Sequence, residues 1–171
     1  MLKLNEIQMR DPFVLRHDPE GRYYLYGSTD PDIWKGKAIG FDVYCSRDLE
    51  HWEGPYPAFR PDADFWSDRN YWAPEVHAYR GRYYMFATLW SSFRNGRYAQ
   101  GLARSPSGKI AGPWIQRNEP IYESDGGHGM LFETFEGELM LALHTPNRTP
   151  LERPVFLRLR EDSGGLGLAG D

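Results

Sequence analysis

The stretch RDPFVLRHDPEGRYYLYG (residues 10–27) has the pattern of a β-hairpin. A short apolar strand is followed by a turn at 18–21, which contains Asp, Pro and Gly, and then by a strand rich in tyrosine. Flat aromatic rings pack well on a pleated sheet, and the stretch lacks the 3.6-residue spacing of an amphipathic helix. It therefore predicts two antiparallel strands joined by a tight turn.

The same pattern occurs twice more along the chain, at residues 72–87 and 127–143. A further apolar stretch follows each hairpin, so that each repeat has enough chain for a small sheet. No segment of 10 to 15 residues shows helical periodicity with capping residues, which disfavours a βαβ architecture. The further apolar stretches are residues 41–46, 98–103 and 154–159.

This repeat predicts an all-β, propeller-like fold of about three four-stranded antiparallel blades. Their innermost strands are expected to begin near Asp11, Ala73 and Gly127. The blades form one domain over residues 1–161, and the glycine-rich residues 162–171 are predicted to be a flexible tail. Because propellers have about four to eight blades, three blades are expected to complete a ring by oligomerisation, most simply as a homodimer.

Composition excludes several classes of protein. The chain has 171 residues and a net charge of −4, with its basic residues dispersed, which argues against a nucleic-acid partner. No segment has the apolar length of a membrane span, and residues 1–8 lack the apolar run of a signal peptide. These observations predict a cytoplasmic protein without a membrane partner. Its single cysteine, Cys45, cannot form an intramolecular disulfide.

Three short strings resemble motifs of glycoside hydrolase family 43. They are RDPF at residues 10–13, WAPEV at 72–76 and DGGHGM at 125–130, and the resemblance covers about residues 1–161. It implies a five-bladed β-propeller that hydrolyses arabinosides and xylosides with inversion. The family uses an Asp as general base, a second Asp that orients, and a Glu as general acid, with no required cofactor.

The resemblance is interrupted in the middle of the chain. Up to about Thr88 the sequence is similar to the first two blades of the family, and from Leu89 onward to the later part of the fourth blade and the fifth. The orienting Asp and the acidic Glu of the family open its third and fourth blades. Neither has a counterpart here.

Two carboxylates are the candidates for catalysis. Asp11 resembles the general base of the family, although an Asp-Pro turn before a strand would also explain it. Glu75, in the corresponding segment of the second blade, is the candidate replacement acid, and burial against aromatic residues is expected to raise its pKa. A structural anchor between blades is the alternative for Glu75.

Four further residues are candidates for substrate binding. His128 resembles the family histidine that faces the central cavity and, in some members, helps to hold a cation there through water. A Ca²⁺ or other cation in the cavity at His128 is therefore a candidate, as is a purely structural role. Phe41, Trp72 and Trp90 are candidates for a wall that packs against sugar rings, with burial between blades as the alternative.

Together these features predict a glycosidase that acts on pentose-containing glycosides of the arabinoside or xyloside type, through Asp11 and Glu75. The alternative is a non-catalytic carbohydrate-binding module that keeps the aromatic wall and has lost the catalytic acid. Either protein has a carbohydrate as its partner.

Overall fold

Apart from single turns of 3-10 helix, the regular structure of the described residues is all β-strand, as the repeat predicts. It forms three four-stranded antiparallel sheets that follow one another along the sequence. Within the described residues there is no α-helix, and no helix is long and apolar enough to cross a membrane. The structure is a computed structural model that describes residues 1–94, 98–105, 108–163 and 165–170.

The first sheet contains the opening hairpin and has the strand order β1-β2-β3-β4. A single turn of 3-10 helix at Asp18–Glu20 joins β1 to β2, and it ends at Gly21 with a φ of 57°, a conformation that glycine adopts without strain. The strands are β1 (Arg10–His17), β2 (Arg22–Ser28), β3 (Phe41–Ser46) and β4 (Trp52–Phe59).

The second sheet repeats this order with longer inner strands. Its second strand, Arg82–Trp90, is buried at most positions instead of alternating between buried and exposed residues, because neighbouring sheets cover both of its faces. The strands are β5 (Arg69–Tyr79), β6 (Arg82–Trp90), β7 (Tyr98–Arg104) and β8 (Ile115–Gln116).

The third sheet ends in a strand that the sequence does not predict. Gly165–Leu168 pairs antiparallel with the preceding strand, and Leu166 is fully buried. The prediction of a flexible tail is therefore wrong at these residues, because the apolar Leu166 gains burial that outweighs the glycine-rich composition. The strands are β9 (Gly127–Glu133), β10 (Leu139–Thr145), β11 (Arg153–Asp162) and β12 (Gly165–Leu168).

An aromatic cluster joins the first sheet to the second. The Phe41 ring lies 5.7 Å from the Tyr71 ring, and the Phe59 ring lies 5.6 Å from the Phe65 ring. The buried Tyr26 hydroxyl donates a hydrogen bond to the carbonyl of Ile110 in the second repeat. Aromatic packing of this kind holds the two sheets face to face.

A second, mostly aliphatic cluster joins the second sheet to the third. Tyr84 and Phe86 of β6 are fully buried, and they pack in one cluster with Leu131, Leu141 and Leu166 of the third sheet. The three sheets therefore follow one another around an arc, as blades do in a propeller. The innermost strands β1, β5 and β9 lie side by side on its concave side, since β5 contacts both β1 and β9.

Candidate active site

Each innermost strand has a residue in the left-handed backbone conformation at or near its start. The φ angles are 51° at Asp11, 47° at Ala73 and 52° at His128. Side chains other than glycine rarely adopt this conformation, and the hairpin register shifts at each of these places, as in a β-bulge. The bulges redirect side chains on the concave side of the arc of sheets. β9 begins at Gly127, as predicted, and its left-handed residue is the next one, His128.

Two of these residues, Ala73 and His128, are each hydrogen-bonded to a buried hydroxyl group from the preceding sheet. Ser28 Oγ accepts a hydrogen bond from the Ala73 amide at 3.0 Å, and Thr88 Oγ1 accepts one from the His128 amide at 2.7 Å. A bulge removes backbone groups from the ladder, and the hydroxyls supply the missing acceptors. A small hydroxyl side chain of the preceding sheet, first Ser28 and then Thr88, therefore fixes the backbone at the bulge of two successive inner strands.

Gln100 extends this support beneath His128. Its side chain is fully buried, its Nε2 donates to Thr88 Oγ1 at 3.1 Å, and its Oε1 accepts from the Gly129 amide at 3.0 Å. A Cβ at Gly129 would lie only 2.5 Å from Gln100 Oε1, so only glycine fits there. This network fixes the backbone that carries His128.

Asp11 presents a partly exposed carboxylate to the concave side. Its side chain is 32% exposed, its Oδ1 lies 3.6 Å from Arg10 Nε, and its Oδ2 accepts a hydrogen bond from Ser28 at 3.2 Å. A carboxylate that is held in place and still accessible can accept a proton from a water molecule. The geometry is compatible with the role of general base.

Glu75 lies between two histidine rings. Its Oε1 is 2.9 Å from His128 Nε2, and its Oε2 is 3.2 Å from His77 Nε2. Burial alone would raise the pKa of Glu75, but hydrogen bonds from His128 and His77 and the charges of both rings lower the pKa to about 2. The hydrogen bond to Glu75 raises the pKa of His128, and the charges of Glu75 and Asp11 add to this effect.

The expected raised pKa of Glu75 is therefore wrong. The expectation considered burial on an aromatic wall, whereas the two histidines reach Glu75 from β5 itself and from β9. A carboxyl group with a pKa of about 2 is ionised at neutral pH and has no proton to donate. Of this pair, His128 is the candidate proton donor, because its contact with Glu75 raises its pKa.

A cavity of about 210 Å³ opens in front of Asp11. His144 and Asn147 lie on one side of it, joined by a hydrogen bond of 2.9 Å between His144 Nε2 and Asn147 Oδ1. Among the residues that line this cavity, Asp11 is the only carboxylate. Its lining includes Asp11, Trp34, Trp72, His128, His144 and Asn147.

Two tryptophans form the aromatic side of the cavity. Trp72 stacks on Tyr98 with ring centroids 4.7 Å apart, and its indole Nε1 donates to the Ile33 carbonyl at 2.7 Å. The Trp34 ring meets Trp72 at 5.1 Å in an edge contact and remains 54% exposed. Sequence reasoning missed Trp34 because it lies in the β2–β3 loop, outside every repeated pattern. A tryptophan in a polar, glycine-containing loop was the available signal.

Most of the chain matches one family of enzymes. Residues 5–126 match the model described as Glycosyl hydrolases family 43. The chain is a member of this family. It is also 32% identical, over an alignment of 149 residues, to extracellular endo-alpha-(1->5)-L-arabinanase 1 of Bacillus subtilis (strain 168). That alignment takes in 74% of this chain and 46% of the relative.

Solved structures of family-43 enzymes have the same fold. A thermostable family-43 glycoside hydrolase superimposes with a TM-score of 0.74 at 24% identity, covering 95% of this chain and 51% of that one. A β-xylosidase/α-arabinofuranosidase from a compost microbial metagenome, in complex with xylotriose, has a TM-score of 0.70 at 18% identity. The match covers 99% of this chain and 60% of that one. The chain thus spans about half the length of the relatives it matches.

The matches confirm the family and overturn one expectation. The predicted cytoplasmic location is contradicted, because the arabinanase relative is an extracellular enzyme. The prediction relied on the apolar content of residues 1–8, which is a weak guide to location.

Two residues of the predicted aromatic wall, Phe41 and Trp90, lie outside the cavity lining. Phe41 is 1% exposed in the cluster between the first two sheets, so burial, the alternative reading, describes it. Trp90 lies at the end of β6, with the Arg69 guanidinium 5.5 Å from its ring, and it is not part of the cavity lining. Of the three predicted wall residues, Trp72 alone lines the cavity.

His128 is not placed to ligate a Ca²⁺ ion directly. Ca²⁺ takes about six to eight oxygen ligands, whereas His128 is a nitrogen donor already engaged with Glu75. Across the described part of the chain, no group of three or more His, Cys, Asp or Glu side chains is placed to hold a metal ion.

Proposed function

We propose that this family-43 protein hydrolyses pentose-containing glycosides of the arabinoside or xyloside type. The observation that carries the proposal is that one cavity is lined by Asp11, His128 and Trp72, with Glu75 hydrogen-bonded to His128. One group can accept a proton and another can donate one, and the indole offers a flat surface for a sugar ring.

Asp11 and His128 have complementary roles in this reaction. Asp11 takes a proton from a water molecule as the water oxygen bonds to the anomeric carbon. The bond from that carbon to the leaving oxygen breaks, and His128 gives its proton to that oxygen. Glu75, predicted as the acid itself, instead stays ionised and keeps the proton on His128, so it acts as a positioning residue.

The relatives support the substrate class. One is an arabinanase, and another is a β-xylosidase/α-arabinofuranosidase in complex with xylotriose. Both act on sugars with five carbons, so pentosides are the first substrates to test. The extracellular relative supports a location outside the cell for this protein as well.

Release of nitrophenol from 4-nitrophenyl α-L-arabinofuranoside and β-D-xyloside tests the proposal. We expect the purified protein to hydrolyse at least one of them faster than the 4-nitrophenyl glucoside control. Equal, background release from all three would contradict the hydrolase function.

Carbohydrate binding without hydrolysis is the second candidate function. It is favoured by one observation: Asp11 is the only carboxylate in the cavity lining, whereas glycosidases commonly use a pair about 6.5–9.5 Å or 5–5.5 Å apart. Calorimetric titration with xylotriose and arabinotriose distinguishes the two functions. Heat of binding without released sugar identifies the binding module.

We further propose that two copies of the chain associate. The outward face of the first sheet is covered by Leu2, Ile7 and Met9 of the N-terminal segment. The outward face of the third sheet instead exposes Met130 at 41% and Phe156 at 62%. Burial of apolar surface stabilises an interface by about 25 cal/mol per Å². Two copies would also bring the number of blades into the usual range of about four to eight.

Light scattering at micromolar concentration is expected to give twice the mass of one chain. Phe156→Ser should shift the mass toward that of a monomer, because it places a hydroxyl in the apolar face. Phe135→Ser is the matched control, since Phe135 is 109% exposed in the β9–β10 turn and outside that face. A wild-type protein that is monomeric under these conditions contradicts the association.

A further inference from the structure

A second cleft lies beside the Asp11 cavity, on the first sheet. It has a volume of about 250 Å³, and Gln8, Asp32 and Trp34 contribute to its lining. Arg10 and Trp34 line both spaces, so the indole of Trp34 stands at the boundary between them. The two spaces therefore adjoin at Arg10 and Trp34.

The loop that carries Trp34 is held at its base. The Asp30 carboxylate, in a residue only 7% exposed, accepts hydrogen bonds from the amides of Ile39 and Gly40 at 3.2 Å. These bonds join the two ends of the loop between β2 and β3. A buried carboxylate satisfied by backbone donors makes the loop a defined structure.

The tip of the loop is held as well. Asp32 Oδ1 accepts from the amide of Trp34 at 3.0 Å and from that of Lys35 at 3.1 Å, which is the pattern of an Asx turn. The Trp72 indole anchors the Ile33 carbonyl of the same loop. Trp34 is therefore presented in one position before any ligand arrives, which reduces the entropy that a ligand must overcome.

The Trp34 ring is oriented by two neighbours and still exposed. The Arg10 guanidinium lies 4.7 Å from its centroid, and Trp72 meets it in an edge contact. More than half of the side chain nevertheless faces solvent, at 54% exposure. A large aromatic ring on an anchored loop between two clefts has the character of a binding surface, because contact with an apolar ligand face would bury it.

We propose that Trp34 is the platform of a second sugar-binding subsite, so that a pentose oligosaccharide lies across the indole with one sugar unit in the Asp11 cavity and the next in the Gln8–Asp32 cleft. The ring packs against the C–H face of the sugar, and the side chains of Gln8 and Asp32 meet its hydroxyl groups. This inference rests on the proposed function and adds that the substrate has at least two neighbouring sugar units.

Calorimetric or fluorescence titration with xylotriose, arabinotriose and the monosaccharides xylose and arabinose tests the inference. We expect Trp34→Ala to lower the affinity for the preferred trisaccharide about 10-fold and to reduce its advantage over the monosaccharide by a similar factor. Trp34→Phe keeps a ring and should recover part of that advantage. Phe135→Ala, which removes a fully exposed ring outside both clefts, should leave it unchanged.

The possible outcomes separate this inference from the proposed function. If wild-type protein prefers the trisaccharide and Trp34→Ala keeps that preference, the subsite is wrong and the proposed function stands. If wild-type protein binds the trisaccharide but hydrolyses nothing, the titration still tests the subsite within a binding module. If wild-type protein neither binds nor hydrolyses any of these sugars, both the function and the subsite are overturned.

Discussion

Asp11→Asn is expected to lower the rate of pentoside hydrolysis by about 10²–10⁴-fold, the usual effect of losing a general base. The amide has nearly the same size and can still accept a hydrogen bond from Ser28, but it cannot take a proton from water. Binding of the trisaccharide should change little, because the shape of the cavity is kept. The measurement is kcat/KM on the preferred nitrophenyl pentoside together with the affinity for the trisaccharide.

A matched control separates this effect from a general effect of losing one negative charge. Asp64→Asn makes the same chemical change at an exposed loop position and should retain the wild-type rate. If Asp11→Asn also retains the full rate, Asp11 is a turn residue at the start of β1, and the catalytic role carried over from family 43 is wrong.

Glu75→Gln is expected to lower the free energy of unfolding by about 2 kcal/mol near pH 6, the size of hydrogen bonds to a charged group. In the wild type, the lowered pKa of Glu75 contributes stability above its ordinary value of 4.5 that is lost as the pH falls toward about 2. The raised pKa of His128 contributes stability below its ordinary value of 6.5 that is lost as the pH rises through the raised value. The pair is therefore strongest between about pH 4.5 and 6.5.

Urea unfolding at several pH values measures this dependence. Glu75→Gln should make the free energy of unfolding depend less on pH, both below about pH 4.5 and above about pH 6.5. Glu138→Gln is the control, because Glu138 pairs with Arg158 on the surface and such pairs contribute about 0–1 kcal/mol. Equal pH profiles for wild type and Glu75→Gln would show that the two histidines do not depend on Glu75.

The same variant distinguishes a positioning role from a merely structural one. Without the negative charge of Glu75, the pKa of His128 should fall toward its ordinary value of 6.5, so the alkaline limb of the rate profile should move to lower pH. A uniform loss of rate at every pH would instead indicate that Glu75 only supports the fold.

The sequence predicts the repeated unit well because hairpins are local. Alternating apolar residues and a turn signal within a stretch such as residues 10–27 require only neighbours in the chain, and the structure has a hairpin there and at the two later repeats. The family motif likewise places Asp11 at the start of β1. Local pattern and motif together were sufficient for the fold class and one candidate residue.

Register and exposure were harder to predict because they depend on distant residues. The third inner strand begins at the predicted Gly127, but β5 begins at Arg69, before the predicted Ala73, because its bulges cannot be counted from an apolar pattern alone. Phe41 appeared suitable for a sugar-binding wall but lies in a cluster that closes only when the second sheet packs on the first. Leu166 lies in a strand because it is buried in one cluster with Tyr84 and Phe86 of the second sheet.

The sequence by itself determined the all-β class, the three hairpins, membership of family 43 and the position of Asp11, since each depends on short segments or on recognisable motifs. Only the tertiary structure decided the charge state of Glu75, because His128 reaches it from a different sheet, 53 residues along the chain. Only the tertiary structure placed Trp34 beside Asp11, because Asp30 and Asp32 accept hydrogen bonds from amides of the loop, and Trp72 donates one to its Ile33 carbonyl. Electrostatics and exposure depend on distances between residues remote in sequence, and packing of the sheets sets those distances.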